Sequence, residues 1–431
     1  MKKEDKPLSE EGRNKLFDIM DGHIKDCTLV LTERMRKLCN IKQQNIEAAP
    51  DAISLLETHA SVLYVIIETA IILRADFRSR QNVERRAILK YMVFATHEFY
   101  KPLFHKNGWN AIKNKLSECD NGPLKMELDR INSAYQDYKK LYFDNGFSKT
   151  QRDIVVHYDT DIDAIYKLWI NVNEENEVRR AIAFLEMAVP MNNLLGRLLP
   201  SNASDLCTIS FNISSEEKSI CSEISKKLPK IEANIDKYAD SLDLFMRKYS
   251  KCEYFEKNQD SLFDDIFIDK IKVLKEIIKP IGLVHFLYLD IAVALKGYVL
   301  SENYIEGRWH LLRLYLIIYE GCNKLFGKGE LLKNIANQFK ENSKDYKKIQ
   351  IIEKDISTIM QDEDVKNTRE TYAHIRKGNK FYLFDLIDFM CSLKAKDILD
   401  KALYVLGNLN QALVLSRDTI KVDGKDKDNV G

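Results

Sequence analysis

Apolar residues recur at three- and four-residue steps along almost the whole chain, the rhythm of helices that bury one face. Leu16, Ile19, Met20 and Ile24 set it in a first helix predicted from about Gly12 to Ala48, started by Ser9-Glu10-Glu11. Pro50-Asp51 opens a second helix to about Phe77, and its stretch Val62–Leu73 is apolar nearly all round, as a central bundle helix is. A third is predicted over Ser79–Phe104, beginning in the basic cluster Arg78, Arg80, Arg85 and Arg86 and closed by Lys106-Asn107-Gly108. Pro123 starts another, to about Phe143, ended by Asn145-Gly146; helices over Asp161–Asn171 and Glu175–Leu199 follow. Leu199–Ser215, with Pro200, Ser201, Asn202, Ser204 and Ser210, has the chemistry of a loop. Ser214-Ser215-Glu216-Glu217 then reads as a capping box.

After that break the order repeats. A long polar-faced helix precedes the apolar Ile281–Leu300, then a helix over Ser301–Phe326, a charged helix from about Glu330, and closing helices to about Asp418. No stretch alternates as a strand would. The expected architecture is all-α: one helical bundle over 9–200, a linker over 201–213, a second bundle over 214–420, and a disordered tail over 421–431.

The two bundles share more than their order. Shifted by 222 residues, Val62–Phe104 aligns with Val284–Phe326 without a gap, and ten of the 43 positions are identical, among them Ser79/Ser301, Glu84/Glu306, Arg86/Arg308 and Leu89/Leu311. Glu68/Asp290 and Arg74/Lys296 keep their charge. Such self-similarity points to internal duplication. Further on, a second pair falls into line at an offset of 217: Arg152-Asp153-Ile154-Val155-Val156-His157 and Arg369-Glu370-Thr371-Tyr372-Ala373-His374, each preceded by a lysine, Lys149 or Lys366. Both are Arg-x4-His with an acidic residue directly after the Arg.

Composition narrows the chemistry. Of 431 residues, 45% are hydrophobic and 30% charged, the balance of a globular chain rather than a disordered one. A net charge of +1 announces no polyanion partner, so any such site must be a local basic cleft. The eight cysteines are scattered, with no C-x-x-C and no histidine at metal-ligand spacing, and read as buried or incidental thiols of a reducing cytoplasm. No metal or other cofactor is expected. Met1–Lys6 has no apolar core behind it and so no signal peptide; Asn202-Ala-Ser and Asn212-Ile-Ser are taken as chance sequons. His285, Asp290 and Lys296 interrupt the apolar run Ile281–Leu300, so neither it nor Val62–Leu73 is expected to span a membrane.

On a straight α-helix, residues five apart differ by about 140° in azimuth and about 7.5 Å in height. An Arg in the first turn, or at a bend, can still reach the target of its His. A histidine titrates near neutrality and can take or give a proton. An arginine stays charged and can hold a phosphate in two-pronged fashion. RNA supplies its own nucleophile, the 2′-hydroxyl. Two facing Arg/His pairs would therefore give a base, an acid and two guanidinium groups around one phosphodiester.

An all-α bundle with Arg, a polar residue, three variable positions and His resembles the HEPN superfamily, seen here at Arg152–His157 and Arg369–His374. The resemblance implies a metal-independent endoribonuclease of the abortive-infection or toxin type, active in bacterial anti-phage defence, with a composite site made where two such domains pair. This chain looks like a covalently fused, pseudo-twofold version of that dimer. Carried over, Arg152, His157, Arg369 and His374 are catalytic, and Asp153 and Glu370 support them. One subset of the family is modified on a Tyr two places after the His; Asp159 and Arg376 stand there, so that mechanism is not carried over.

Glu68 and Asp290 have two readings: acids that orient the motif groups, or acids paired with a nearby base inside the bundle, which is favoured because an unpaired buried charge is costly. RNA contacts are assigned to Lys149, Lys366, Arg376, Lys377, Arg86 and Arg308. Glu84/Arg86 and Glu306/Arg308 are two apart on a helix and should pair with neighbouring helices. His23, His59, His97, His105, His285 and His310 lack counterparts in the other half and read as structural. Expected partners are RNA and a neutralising or activating protein, with no membrane and with room for further oligomerisation. The alternative function is a catalytically inactive tandem helical module that binds RNA or a partner protein.

Overall fold

In a computed structural model the chain is helical, with no strand among the described residues. The structure describes residues 9–43, 50–105, 109–118, 121–143, 154–155, 164–165, 168–169, 172–199, 214–257, 265–322, 339, 343–363, 365, 367 and 393–422. The helices are α1 (Glu10–Gln43), α2 (Pro50–Arg78), α3 (Asn82–His105), α4 (Trp109–Ser117), α5 (Gly122–Tyr138), α6 (Glu174–Leu198), α7 (Ser215–Lys257), α8 (Asp265–Val299), α9 (Tyr304–Leu316), α10 (Lys344–Met360) and α11 (Ala395–Val422). Single wide π turns extend α5 through Lys139–Phe143 and α9 through Ile317–Gly321.

Short polar residues begin these helices where the chain needs its first N–H groups satisfied. Ser9 Oγ accepts from the Gly12 N–H at 3.1 Å, Asn173 Oδ1 from Glu175 at 2.9 Å, and Asn303 Oδ1 from Glu306 at 2.9 Å. Ser214 Oγ accepts from the Glu217 N–H at 3.1 Å. The reciprocal half of that expected capping box is missing, because the Glu217 carboxylate turns to Arg308 on α9 instead.

Two helices organise the rest. Every residue of α2 from Thr58 to Asp76 is buried, and so is every residue of α8 from Pro280 to Lys296. A helix buried all round is largely apolar all round, as these two are apart from buried polar residues such as Glu68, Arg74, Asp76, Asp290 and Lys296. Around α2 pack α1, α3 and α6, with α5 against α6; around α8 pack α7, α9 and α11, with α10 against α11. Helix α3 also reaches α8, and one continuous buried apolar cluster runs through both sets.

The sequence places α8 too late. It begins at Asp265, not near Ile281, and carries Pro280 in its interior. A mid-helix proline costs about 3 kcal/mol, and here packing on α7 along the whole length outweighs it. The helix is also long and apolar enough to cross a membrane by length and composition, an 18-residue window of it having a mean hydropathy of 1.7, yet 89% of that window is buried within the fold. Helix α3 starts at Asn82 because Arg78 ends α2 and Ser79–Gln81 form the turn. Helix α4 has no counterpart among the helices expected from sequence; Trp109, 1% exposed, anchors it.

Candidate functional site

The two helix sets meet where the α2–α3 corner faces the α8–α9 corner, and both corners are built the same way. Ser79 N–H donates to Asp76 O at 2.9 Å, and Ser301 N–H to Tyr298 O at 3.2 Å. Ser79 Oγ donates to Ala75 O and Ser301 Oγ to Gly297 O, each at 2.8 Å. The Arg80 N–H donates to Glu84 Oε2 at 3.1 Å, and the Glu302 N–H to Glu306 Oε2 at 2.8 Å. Every one of these residues lies 222 positions from its counterpart.

Each glutamate then takes a cation from the opposite set. Lys296 Nζ lies 2.6 Å from Glu84 Oε1 and 2.9 Å from Glu232, and Arg74 pairs with Glu306. Arg74 and Lys296 are counterparts, as are Glu84 and Glu306, so residue i meets j while j′ meets i′. All four are buried. Burial pushes the Glu306 carboxyl up, with Arg74 and Arg78 opposing. Burial also disfavours the Lys296 charge, but hydrogen bonds with Glu84 and Glu232 outweigh it and hold its pKa above the ordinary value. Arg78 closes the corner, donating to Leu300 O at 2.9 Å.

Glu68 and Asp290 lie deeper on the same seam, 1% and 0% exposed. Asp290 pairs with Lys90 of α3, and Arg313 Nη2 of α9 is 3.9 Å away. Glu68 accepts the Trp309 indole N–H at 3.0 Å. Arg313 donates to Ala87 O at 2.9 Å and stacks over Tyr91 at 4.4 Å. Asp290 thus meets a base and Glu68 an indole N–H, each drawn from the other helix set. Sequence reasoning misses Lys90, Trp309 and Arg313; the one signal for them is a charged or indole group inside an otherwise apolar helix face.

Of the twelve motif positions, Ile154 and Val155 are described, both helical; Arg152, Asp153, His157, Arg369, Glu370 and His374 lie outside the described residues, as do Lys149, Lys366, Arg376 and Lys377. Val155 is 2% exposed. With Ile154 it lines a cavity of about 20 Å³ closed by Lys90, Ile165, Leu168 and Trp169 and, from the second set, Phe286. Trp169 meets Phe286 edge-on at 5.1 Å. The middle of the first motif thus sits against the seam.

Arg308 is not open to a phosphate. It is buried, paired with Glu217, and donates to Leu393 O at 2.9 Å. The RNA contact assigned to it from sequence is corrected to a link between α9, α7 and the start of α11. Arg86 is half-buried. Histidines read as structural behave so: His59, between Arg34 and Asn192, and His285, bonded to Ile281 O, are both pushed down to about 4 by burial. His310 is held well below its ordinary value by burial and by Arg313, Arg78 and Arg74. Cys27, Cys221, Cys252 and Cys322 are free thiols, and no His/Cys/Asp/Glu cluster of metal-binding size occurs among the described residues.

No protein-family model, no curated protein and no solved structure matches this chain.

Proposed function

We propose that the chain is a metal-independent endoribonuclease of the HEPN type, with one composite site formed by Arg152, His157, Arg369 and His374 across the seam of a duplicated, pseudo-twofold pair of bundles. Its role would lie in bacterial anti-phage defence or as a toxin. The observation that carries this reading is the reciprocity of Arg74–Glu306 and Lys296–Glu84 at the same 222-residue offset that brings the two corners into register. Isologous contact of this kind is what two copies of one ancestral bundle make when they pair. The position of Ile154 and Val155 against Phe286 supports a motif that faces the other half.

In the proposed chemistry one histidine removes the 2′-hydroxyl proton and the other protonates the leaving 5′-oxygen. The phosphorus–5′-oxygen bond breaks as the 2′-oxygen attacks, giving a 2′,3′-cyclic phosphate. The two guanidinium groups hold the phosphate as negative charge gathers on its oxygens. Asp153 and Glu370 orient the arginines.

The test is cleavage of a mixed RNA panel by purified protein in excess chelator, beside His157→Ala and His374→Ala. Cleavage in chelator that both substitutions remove supports the reading. Cleavage that requires added metal, or that survives the double substitution, rejects it.

A further inference from the structure

We infer that Lys90 is a positioning residue whose ion pair with Asp290, made across the seam, holds Ile154 and Val155, the described middle of the first Arg-x4-His segment, against the second helix set. The catalytic consequence rests on the ribonuclease reading; the placement itself does not. Lys90 leaves α3 and pairs with Asp290 of α8, and both are buried. Its ammonium lies 6.0 Å from the Trp169 ring centre, and Trp169 in turn abuts Phe286 of α8. Among the residues that line the cavity beneath Ile154 and Val155, Lys90 carries the charge and the rest are apolar.

Positioning differs from simple packing here on two counts. At the counterpart of Lys90, 222 residues on, stands Leu312, which is fully buried. An apolar side chain therefore fills the equivalent place in the second set, and packing alone does not call for an ammonium here. Second, a buried ion pair adds little net stability over a well-packed apolar pair, but its geometry is demanding. What Lys90–Asp290 supplies is one fixed approach of α3 to α8, and the wall under Val155 is built on that approach. Misplacement by about 1 Å at a distance from the chemistry can cost about a hundredfold in rate.

The experiment compares Lys90→Met, Lys90→Arg and the double variant Lys90→Met/Asp290→Asn with the unaltered protein. Lys90→Met alone takes the ammonium from a buried carboxylate and should lower the unfolding midpoint. The double variant removes both charges and should recover part of that loss, the remainder being owed to the buried Arg313, which loses the carboxylate 3.9 Å away. Positioning predicts that the double variant, though partly restored in stability, still cleaves RNA about ten- to a hundredfold more slowly in kcat with KM little changed. It also predicts faster amide exchange at Ile154 and Val155, whereas Lys90→Arg retains both cleavage and protection. Recovery of kcat together with stability in the double variant overturns the inference. If the unaltered protein does not cleave RNA, the ribonuclease reading fails separately, and exchange at Ile154 and Val155 decides alone: unchanged exchange overturns the positioning role. Should the double variant fail to fold, Lys90→Arg decides in its place, and loss of protection there overturns the positioning role as well.

Discussion

Asp76→Asn should remove a pH dependence of folding that one buried carboxyl imposes. Asp76 sits near the end of α2, fully buried, and neither of its oxygens accepts a hydrogen bond among the described residues. Burial pushes its pKa from 3.8 up to about 7; Glu174 adds to the rise, and Arg85 and Arg13 oppose it. Those two arginines are themselves drawn to Glu174, at 3.2 and 2.5 Å. A carboxyl whose folded pKa is raised binds more protons folded than unfolded. Between pH 3.8 and about 7 the native state therefore loses stability as pH rises, and the loss is complete above that window. The slope owed to this group is about −1.4 kcal/mol per pH unit, and the full cost is about 4 kcal/mol as an upper figure. Asparagine has the same shape and cannot ionise. Denaturant unfolding of both proteins from about pH 4.5 to 8 should give stabilities that nearly coincide at the acid end and diverge upward for Asp76→Asn by a few kcal/mol at about pH 8. Parallel curves would refute the reasoning, because they would mean that Asp76 is ionised in the fold at all these pH values.

Other perturbations test the seam. Glu306→Gln takes one carboxylate from the buried Arg74 but leaves it Asp21 at 2.5 Å and Glu302 at 3.5 Å, so it should cost about 1–3 kcal/mol in denaturant unfolding. Trp309→Phe removes the indole N–H that the buried Glu68 carboxylate accepts and should cost about 1–3 kcal/mol on the same measurement. A Cβ on Gly297 would come within 2.1 Å of the buried His310 ring, which must shift to admit it. Gly297→Ala should therefore lower stability by about 1–3 kcal/mol, while Gly407→Ala, where a Cβ meets nothing within 4 Å, should be neutral or slightly stabilising.

Much of this architecture is written in local patterns. The all-round apolar character of Val62–Leu73 marks α2 as central, and Ser9 and Ser214 mark helix starts that the structure keeps. The carboxylates Glu68 and Asp290 stand out because each interrupts an apolar helix, and burial does force partners on them. Their partners are not legible in the same way. Lys90 lies 200 positions from Asp290 and Trp309 lies 241 from Glu68, so no local spacing joins them. Helix α8 extends through Pro280 because tertiary packing overrides a local breaker. Asp76 looks like an ordinary acid near a helix end; only the crowding of α1, α3 and α6 around it makes its charge costly.

The proposed composite site is tested most directly by the kinetics of three proteins: His157→Ala, His374→Ala, and the two substitutions together, each assayed in chelator with saturating RNA. One shared site requires that either single change lowers kcat by about a hundredfold or more and that the pair falls little further. Two independent sites would leave each single variant with roughly half the native rate and only the double variant inactive. That second pattern would contradict a site shared between the two helix sets.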